Sequence, residues 1–339
     1  METRILKIDP KNIDLKLISD AANVIKAGGL VAFPTETVYG LGADAFNAKA
    51  VSRIFESKKR PLDDPLIVHI AEKEYLKKVA EDVPREAEKL MERFWPGPLT
   101  LVLKKSPAVP DIVTTGLDTV AVRMPRNAAA LALIKSSGTA IAAPSANLFS
   151  RTSPTTAKHV IEDLDGKVDV VIDGGKTDIG LESTVVDIED GGVIVLRPGG
   201  VTLEELKKVI KKVKVFTGTV RDKRSPGTYA RHYAPHAKVI VAENRSSQTK
   251  EVLDLAGEYY GSGKKIGILA KEEHAALYKG LNAKILGPAG DPVTCASRLF
   301  GLLREFDKEK TDIIIAEAIP EAGLGLAVMN RLRKAAGNA

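Results

Sequence analysis

The chain has 339 residues, 44% hydrophobic and 28% charged, with 50 Lys and Arg against 44 Asp and Glu for a net charge of +6. That length predicts two domains, each able to bury its own core, and no apolar run approaches the roughly 20 residues of a bilayer span. The single cysteine, Cys295, excludes an internal disulfide framework or a cysteine-based metal cluster, and without a secretory apolar segment at the N-terminus the expected location is the cytoplasm.

In chain order, residues 4–8 alternate like a strand, and apolar residues at Ile13, Leu17, Ala21, Val24 and Ile25 follow helical spacing up to a stop at Gly28-Gly29. Residues 30–33 read as a short buried strand that breaks at Pro34 into Thr35, Glu36 and Thr37, ahead of an expected turn at Gly40-Leu41-Gly42. Ligands bind at the ends of strands in α/β sheets, so this polar group reads as a pocket wall; a capping box that only starts a turn is the alternative. A helix predicted over 48–57 runs into Lys58-Lys59-Arg60-Pro61, then Asp63, Asp64 and Pro65. Prolines on both sides hold this loop extended, presenting Lys58 and Arg60 to the oxygens of a polyanion, although a bare KxR is more often a solvated loop.

His69 sits inside the apolar strand LIVHI, where a core histidine is the commoner case. Residues 72–94 predict a helix ending at Phe94-Trp95-Pro96. Strands follow at 100–104 and 119–124, the second carrying Thr119 and Arg123 between apolar residues. A guanidinium on such a strand requires an anionic partner, which makes Arg123 a candidate carboxylate clamp. After a helix over 128–135, the strand 140–143 opens into Ala143-Pro144-Ser145-Ala146-Asn147, repeating the design of the first polar strand end. Ser153-Pro154-Thr155-Thr156 starts a helix to Leu164, and a strand at 168–173 follows. Strands at 183–188 and 193–197 are flanked by Glu182, Ser183 and Thr184 at one start and Arg197-Pro198-Gly199 at the other end. Several polar strand ends point to one shared site.

Between Leu206 and Pro235 nine Lys or Arg residues stand against the single acid Asp222, so the positive charge is concentrated there. From Lys238 onward strands and helices alternate as in a small parallel α/β domain. Gly261-Ser262-Gly263-Lys264 lacks the spacing and final Ser/Thr of a phosphate-binding loop, and Gly323-Leu324-Gly325 does not follow a strand closely enough to be a dinucleotide fingerprint. The expected division is 1–212, a linker at 213–237, and 238–339.

The series PTETVYGLGAD, KKRPLDDPL, the His69 strand, VRMP, APSAN, SPTT, ESTVVD and LRPG, in this order and spacing, resembles the YrdC-like domain. The segment from Ser225 to Pro235, SPGTYARHYAP, is similar to the linker of the long, two-domain threonylcarbamoyl-AMP synthases. The resemblance implies a twisted mixed α/β sheet around a positively charged cavity, followed by a Rossmann-like domain. It implies synthesis of threonylcarbamoyl-AMP from L-threonine, bicarbonate or CO2, and ATP, with release of pyrophosphate. The intermediate would feed threonylcarbamoyladenosine formation in tRNA through a downstream transferase machinery, with tRNA contact as a further possibility. By the same resemblance Thr37, His69, Arg123, the backbone at Ala143 and Ser183 would hold threonine. Lys58, Arg60, Asp64, Thr119, Ser145, Asn147, Ser153, Arg197, His232 and Tyr233 would surround ATP, with Mg2+ bound through the ATP phosphates rather than by the protein. The linker would close over the nucleotide and exclude water. A pure RNA-binding module and a carbamoyl-adenylate enzyme with another acceptor are the alternatives. The first lacks aromatic platforms here, and the second usually carries zinc-finger cysteines.

Overall fold

The computed structural model describes all residues except 1, 190, 217–223, 225, 228, 230, 245–246 and 338–339. Two units emerge, residues 1–149 with 153–228, and residues 150–152 with 229–339. Among the described residues no helix is long and apolar enough to cross a membrane.

The first unit is built on one mixed sheet. Its strands are β1 (Arg4–Lys7), β2 (Val31–Phe33), β3 (Gly40–Asp44), β4 (Ile67–His69), β5 (Leu99–Lys104), β6 (Thr119–Arg123), β7 (Ile141–Ala142), β8 (Val170–Asp173), β9 (Thr184–Glu189), β10 (Gly192–Arg197) and β11 (Val213–Val215). They lie in the order β1-β8-β2-β3-β7-β4-β6-β5-β9-β10-β11.

Alternation along the strands assigns each face. Leu30, Ala32, Val68, Leu101, Val120, Val122 and Val186 join a core that runs under one side of the sheet. On the opposite side Val31, Phe33, Ile141, Val170 and Ile172 pack against helix α1 (Leu15–Lys26) and the helix Ala128–Ser137. Burial of each such side chain contributes about 1.5 to 3 kcal/mol. This second apolar cover stops at β4. Beyond it, over β6, β5 and β9, the same face carries Arg123, Thr100 and Asp187. Thr100 pairs with Arg123 and Val185, and Asp187 with Val102, so these side chains share a side. Half of one sheet face therefore carries these polar groups, interleaved with Val102, Ala121 and Val185.

Two expectations are corrected. The Gly40-Leu41-Gly42 segment is not a turn but the start of β3, antiparallel to β2. Its glycines mark a close approach: a Cβ on Gly42 would stand 2.6 Å from Ile141 Cγ2 and 2.8 Å from Phe33 Cε1. The single helix expected over 72–94 is broken. A 3-10 turn at Lys73–Tyr75 leads into a short helix Leu76–Val79, and a second helix, Arg85–Phe94, begins after Pro84, because a proline cannot continue a helix from the preceding turn.

The second unit holds a four-stranded parallel sheet of β12 (Lys238–Ala242), β13 (Ile266–Lys271), β14 (Ala283–Gly287) and β15 (Ile313–Glu317), in the order β12-β15-β13-β14. Helices Gln248–Gly261, Pro292–Lys308 and Gly325–Ala336 complete it, as the alternating pattern predicts.

Candidate active site

At the centre of the polar half-face stands Arg123, the last residue of β6, buried with its guanidinium touching three groups. Nε donates to Gly97 O (3.2 Å), Nη1 to Thr37 Oγ1 (2.9 Å), and Nη2 lies 2.7 Å from Glu36 Oε1. Thr37 and Glu36 reach it because Pro34 breaks the chain out of β2. The turn is closed locally by the Thr35 hydroxyl, which accepts from the amides of Thr37 and Val38 and lies 2.7 Å from Thr37 Oγ1. The anion that the sequence demanded for Arg123 is thus Glu36. Neither Glu36 oxygen accepts a hydrogen bond among the described residues, nor does Arg123 Nη2 donate one, so the ion pair leaves buried polar atoms short of partners.

Next to Arg123 in the β4–β6 register is His69, the last residue of β4. Its ring is buried edge-on to Phe33, with Nδ1 3.2 Å from Ile67 O. Burial above all, and then the neighbouring Arg123 charge, push its pKa down to about 3, so this imidazole is neutral at physiological pH. The carbonyl of Ile67 can only accept, so Nδ1 carries the proton.

Ser183 and Arg197 approach from β9 and β10. The Ser183 hydroxyl lies 2.8 Å from Thr100 Oγ1, and Arg197 holds Ser183 from both sides, donating Nε and Nη2 to Ser183 O (3.2 and 3.0 Å) and Nη2 to Ser183 Oγ (3.2 Å). A bulge aims this arginine. Val195 pairs with Val186 on the core side, yet Arg197, two residues on, pairs with Val185, which faces the polar side. Arg197 also donates from Nη1 to Pro226 O at 3.4 Å, so the start of the basic linker touches the site. The Ser153 hydroxyl donates to the buried carboxylate of Glu182, one residue before Ser183.

Lys58 and Arg60 are not displayed on a solvated loop. Helix α2 (Ala48–Lys58) ends at a left-handed Lys59, which turns the side chains on either side inward. Lys58 Nζ donates to the carbonyls of Ser145 and Asn147, while Ala143 N donates to Ile67 O, tying the 143–147 loop to α2 and β4. Burial first, and Arg60 second, hold the Lys58 pKa well below its ordinary value. A neutral amine still satisfies both carbonyls with two N–H groups. Arg60 wraps its own loop, donating to Asp64 O and Pro65 O and pairing with the Asp64 carboxylate at 2.8 Å. Burial raises the Asp64 carboxyl, against the lowering effect of Arg60, the Gly227 amide, Lys58 and Arg197.

Thr119 stands half-buried at the far end of β6, on the same side as Arg123 but four residues away, roughly 13 Å along the strand. His232 and Tyr233 belong to the second unit. Their rings meet edge-on at 4.1 Å, with Phe300 5.9 Å from Tyr233 and the Arg331 guanidinium 4.9 Å over its face. Within the linker motif, residues 225, 228 and 230 lie outside the described residues. Sequence reasoning placed Glu36 and Glu182 among the polar strand ends without giving either a partner, and it passed over Thr100. The signal for Glu36 and Glu182 was a carboxylate beside hydroxyls at a strand end; Thr100, inside an apolar strand, gave none.

A mixed α/β sheet of eleven strands that gathers two arginines, a neutral histidine and several hydroxyls on one half-face defines a YrdC-like protein. Residues 23–199 match the Sua5, YciO and YrdC family model, described as telomere recombination, and residues 201–337 match the threonylcarbamoyl-AMP synthase C-terminal domain. Threonylcarbamoyl-AMP synthases of Pyrococcus abyssi and Bacillus subtilis are 50% and 47% identical, each over 94% of this chain and 93% of the relative. The crystal structure of P. abyssi Sua5 complexed with L-threonine superposes with a TM-score of 0.93 at 48% identity, covering 99% of this chain and 98% of that one. A P. abyssi Sua5 variant with a histidine and the adjacent tyrosine changed to alanine matches at a TM-score of 0.92 and 47% identity, over 99% and 97% of the two chains. The chain belongs to the threonylcarbamoyl-AMP synthase family, in its long two-domain form.

Proposed function

We propose that the polar half-face around Arg123 is where this synthase joins L-threonine, bicarbonate or CO2, and ATP into threonylcarbamoyl-AMP with release of pyrophosphate. The observation that carries this is the buried Arg123–Glu36 pair, joined by one close contact of 2.7 Å from Nη2 to Oε1, with Glu36 Oε2 accepting no hydrogen bond among the described residues. A substrate bearing both an ammonium and a carboxylate matches such a pair, its ammonium donating to Glu36 and its carboxylate accepting from Arg123. Threonine is such a molecule, and it is the ligand of the P. abyssi structure.

In this reading Thr37, Arg123 and neutral His69 orient threonine, together with the Ala143 backbone and Ser183. Its amine, once deprotonated, attacks the carbon dioxide carbon, and the carbamate oxygen then attacks the α-phosphorus. The nucleophiles come from the substrates, so the protein's part is to position them and to stabilise charge developing on phosphorus. Arg197 and Lys58, with Arg60 and Asp64 holding the loop, would flank the nucleotide together with Ser145, Asn147, Ser153 and Thr119. Mg2+ would enter on the ATP phosphates and neutralise part of their charge. The pair His232–Tyr233 is the one consecutive His-Tyr in the chain and would complete the ATP contacts from the linker. A cytoplasmic place beside the tRNA-modifying transferase follows from the product.

The test is pyrophosphate release from ATP with each substrate omitted in turn. Release should require both threonine and bicarbonate; release that persists without threonine overturns the assignment.

A further inference from the structure

The second unit contains a half-enclosed cavity of about 480 Å3 between the C-terminal half of the helix Gln248–Gly261, the start of β13 and the turn before β14. Its floor is Ala256 and Ile268, both buried, and three of the eight exposed large apolar side chains among the described residues stand around it: Tyr260 (78% exposed), Leu281 (47%) and Leu253 (43%). Exposed apolar groups that converge on a concavity differ from scattered ones, because a single ligand can cover all of them. The volume lies in the range of small-molecule sites.

Charge narrows the occupant. The lining includes Lys264 and Lys265 and no acidic residue. Two carboxylates adjoin the lining: Glu309, paired with Lys284 at 2.7 Å and accepting from Asn282 at 3.0 Å, and Asp312, whose Oδ2 accepts from the Lys265 amide at 2.8 Å. Lys265 Nζ donates to the Glu309 backbone carbonyl, which leaves Lys264 as the lysine of the rim whose side chain is not drawn to Glu309. The wall also has an opening that folding does not require. Gly257 lies within the helix, where any fitting side chain would be favoured over glycine, yet a Cβ built there meets nothing within 4 Å. No neighbour in the fold accounts for its bare backbone, and the space it leaves opens into the cavity.

We propose that this cavity binds a small aromatic anion, its ring seated against Tyr260 and the aliphatic floor and its acidic group held by Lys264. Two sources share this chemistry, a purine nucleotide monophosphate and an aryl carboxylate.

The probe is 1-anilinonaphthalene-8-sulfonate, an aromatic sulfonate that fluoresces in apolar sites, titrated into the full-length protein. Gly257→Leu fills the cavity from a helix position that tolerates leucine, so it should keep the wild-type melting temperature or exceed it while weakening probe affinity at least tenfold. Lys264→Gln should weaken it three- to tenfold and remove most of its salt dependence. AMP or indole-3-acetate is then added as competitor, and displacement that is present in wild type and absent from Gly257→Leu assigns the nucleotide or the carboxylate source respectively. Equal probe binding by wild type and Gly257→Leu overturns the proposal, as does displacement by neither competitor, which would mark binding of an adventitious additive only.

Discussion

The Arg123–Glu36 pair is buried at both ends, with side chains 4% and 1% exposed, so removing one partner strands the other. Arg123→Ala should therefore cost about 3 to 5 kcal/mol of stability, which would mask its effect on substrate. Arg123→Lys keeps the charge and loses the fork. It should raise the KM for threonine tenfold or more and leave that for ATP within about twofold. Steady-state kinetics decide this, and equal losses for both substrates would move Arg123 to the nucleotide side. His69 gives a pH test. Its folded pKa of about 3 lies below the unfolded value of about 6.5, so below pH 6.5 the unfolded chain binds a proton that the native one refuses. Stability should fall as pH drops from 6.5 toward 3, by up to about 1.4 kcal/mol per unit from this group alone. Denaturant titrations at pH 7, 6, 5 and 4 should show a shallower loss for His69→Asn; superimposable slopes would mean that His69 is not held neutral.

Elements place these residues by meeting at their ends. The tip of α2 holds the 143–147 loop through one side chain, Lys58, on which the carbonyls of Ser145 and Asn147 both depend. Lys58→Met leaves both carbonyls unsatisfied and should destabilise by about 2 to 4 kcal/mol, read by thermal melting. A variant that melts with wild type and loses only ATP affinity would show that the amine serves the nucleotide alone. The segment after β10 is pressed against the start of β9. A Cβ on Gly199 would lie 2.4 Å from Glu182 O and 2.5 Å from Thr184 N, backbone atoms that cannot swing away. Gly199→Ala should push Ser183 out of reach of Arg197 and lower kcat/KM for threonine by more than tenfold, since a charge-assisted contact contributes about 1.5 to 3 kcal/mol. Wild-type activity in that variant would remove Ser183 from the site.

At the scale of the whole molecule the chain visits the second unit twice. Residues 150–152 join it through Ala234 N to Ser150 O (2.8 Å), the Arg151–Asp307 pair (2.8 Å) and Arg304 Nη2 to Thr152 O (2.6 Å). Truncation after residue 218 therefore removes the partners of residues 150–152, immediately before Ser153, as well as the linker. A cleaner test of linker closure is proteolysis of the intact chain. ATP with threonine should slow tryptic cleavage at Arg221, Lys223, Arg224 or Arg231, because closure withdraws the backbone from the protease. Unchanged cleavage would make the linker a tether, and its charge would then serve tRNA or a partner.

The sequence by itself determined the parallel α/β second unit, most strands of the first, and the identity of the polar strand ends, because alternation, prolines and glycines act over a few residues. It also required that Arg123 have an anion. Tertiary structure decided which anion, since Glu36 reaches Arg123 only when the turn after β2 folds onto a strand that lies four places away in the sheet. It turned Lys58 and Arg60 inward, a consequence of one left-handed residue that the charge pattern does not encode. It moved Arg197 onto the polar face through a bulge invisible to simple alternation. Long-range pairing and side-chain direction settle these matters, and local spacing carries neither.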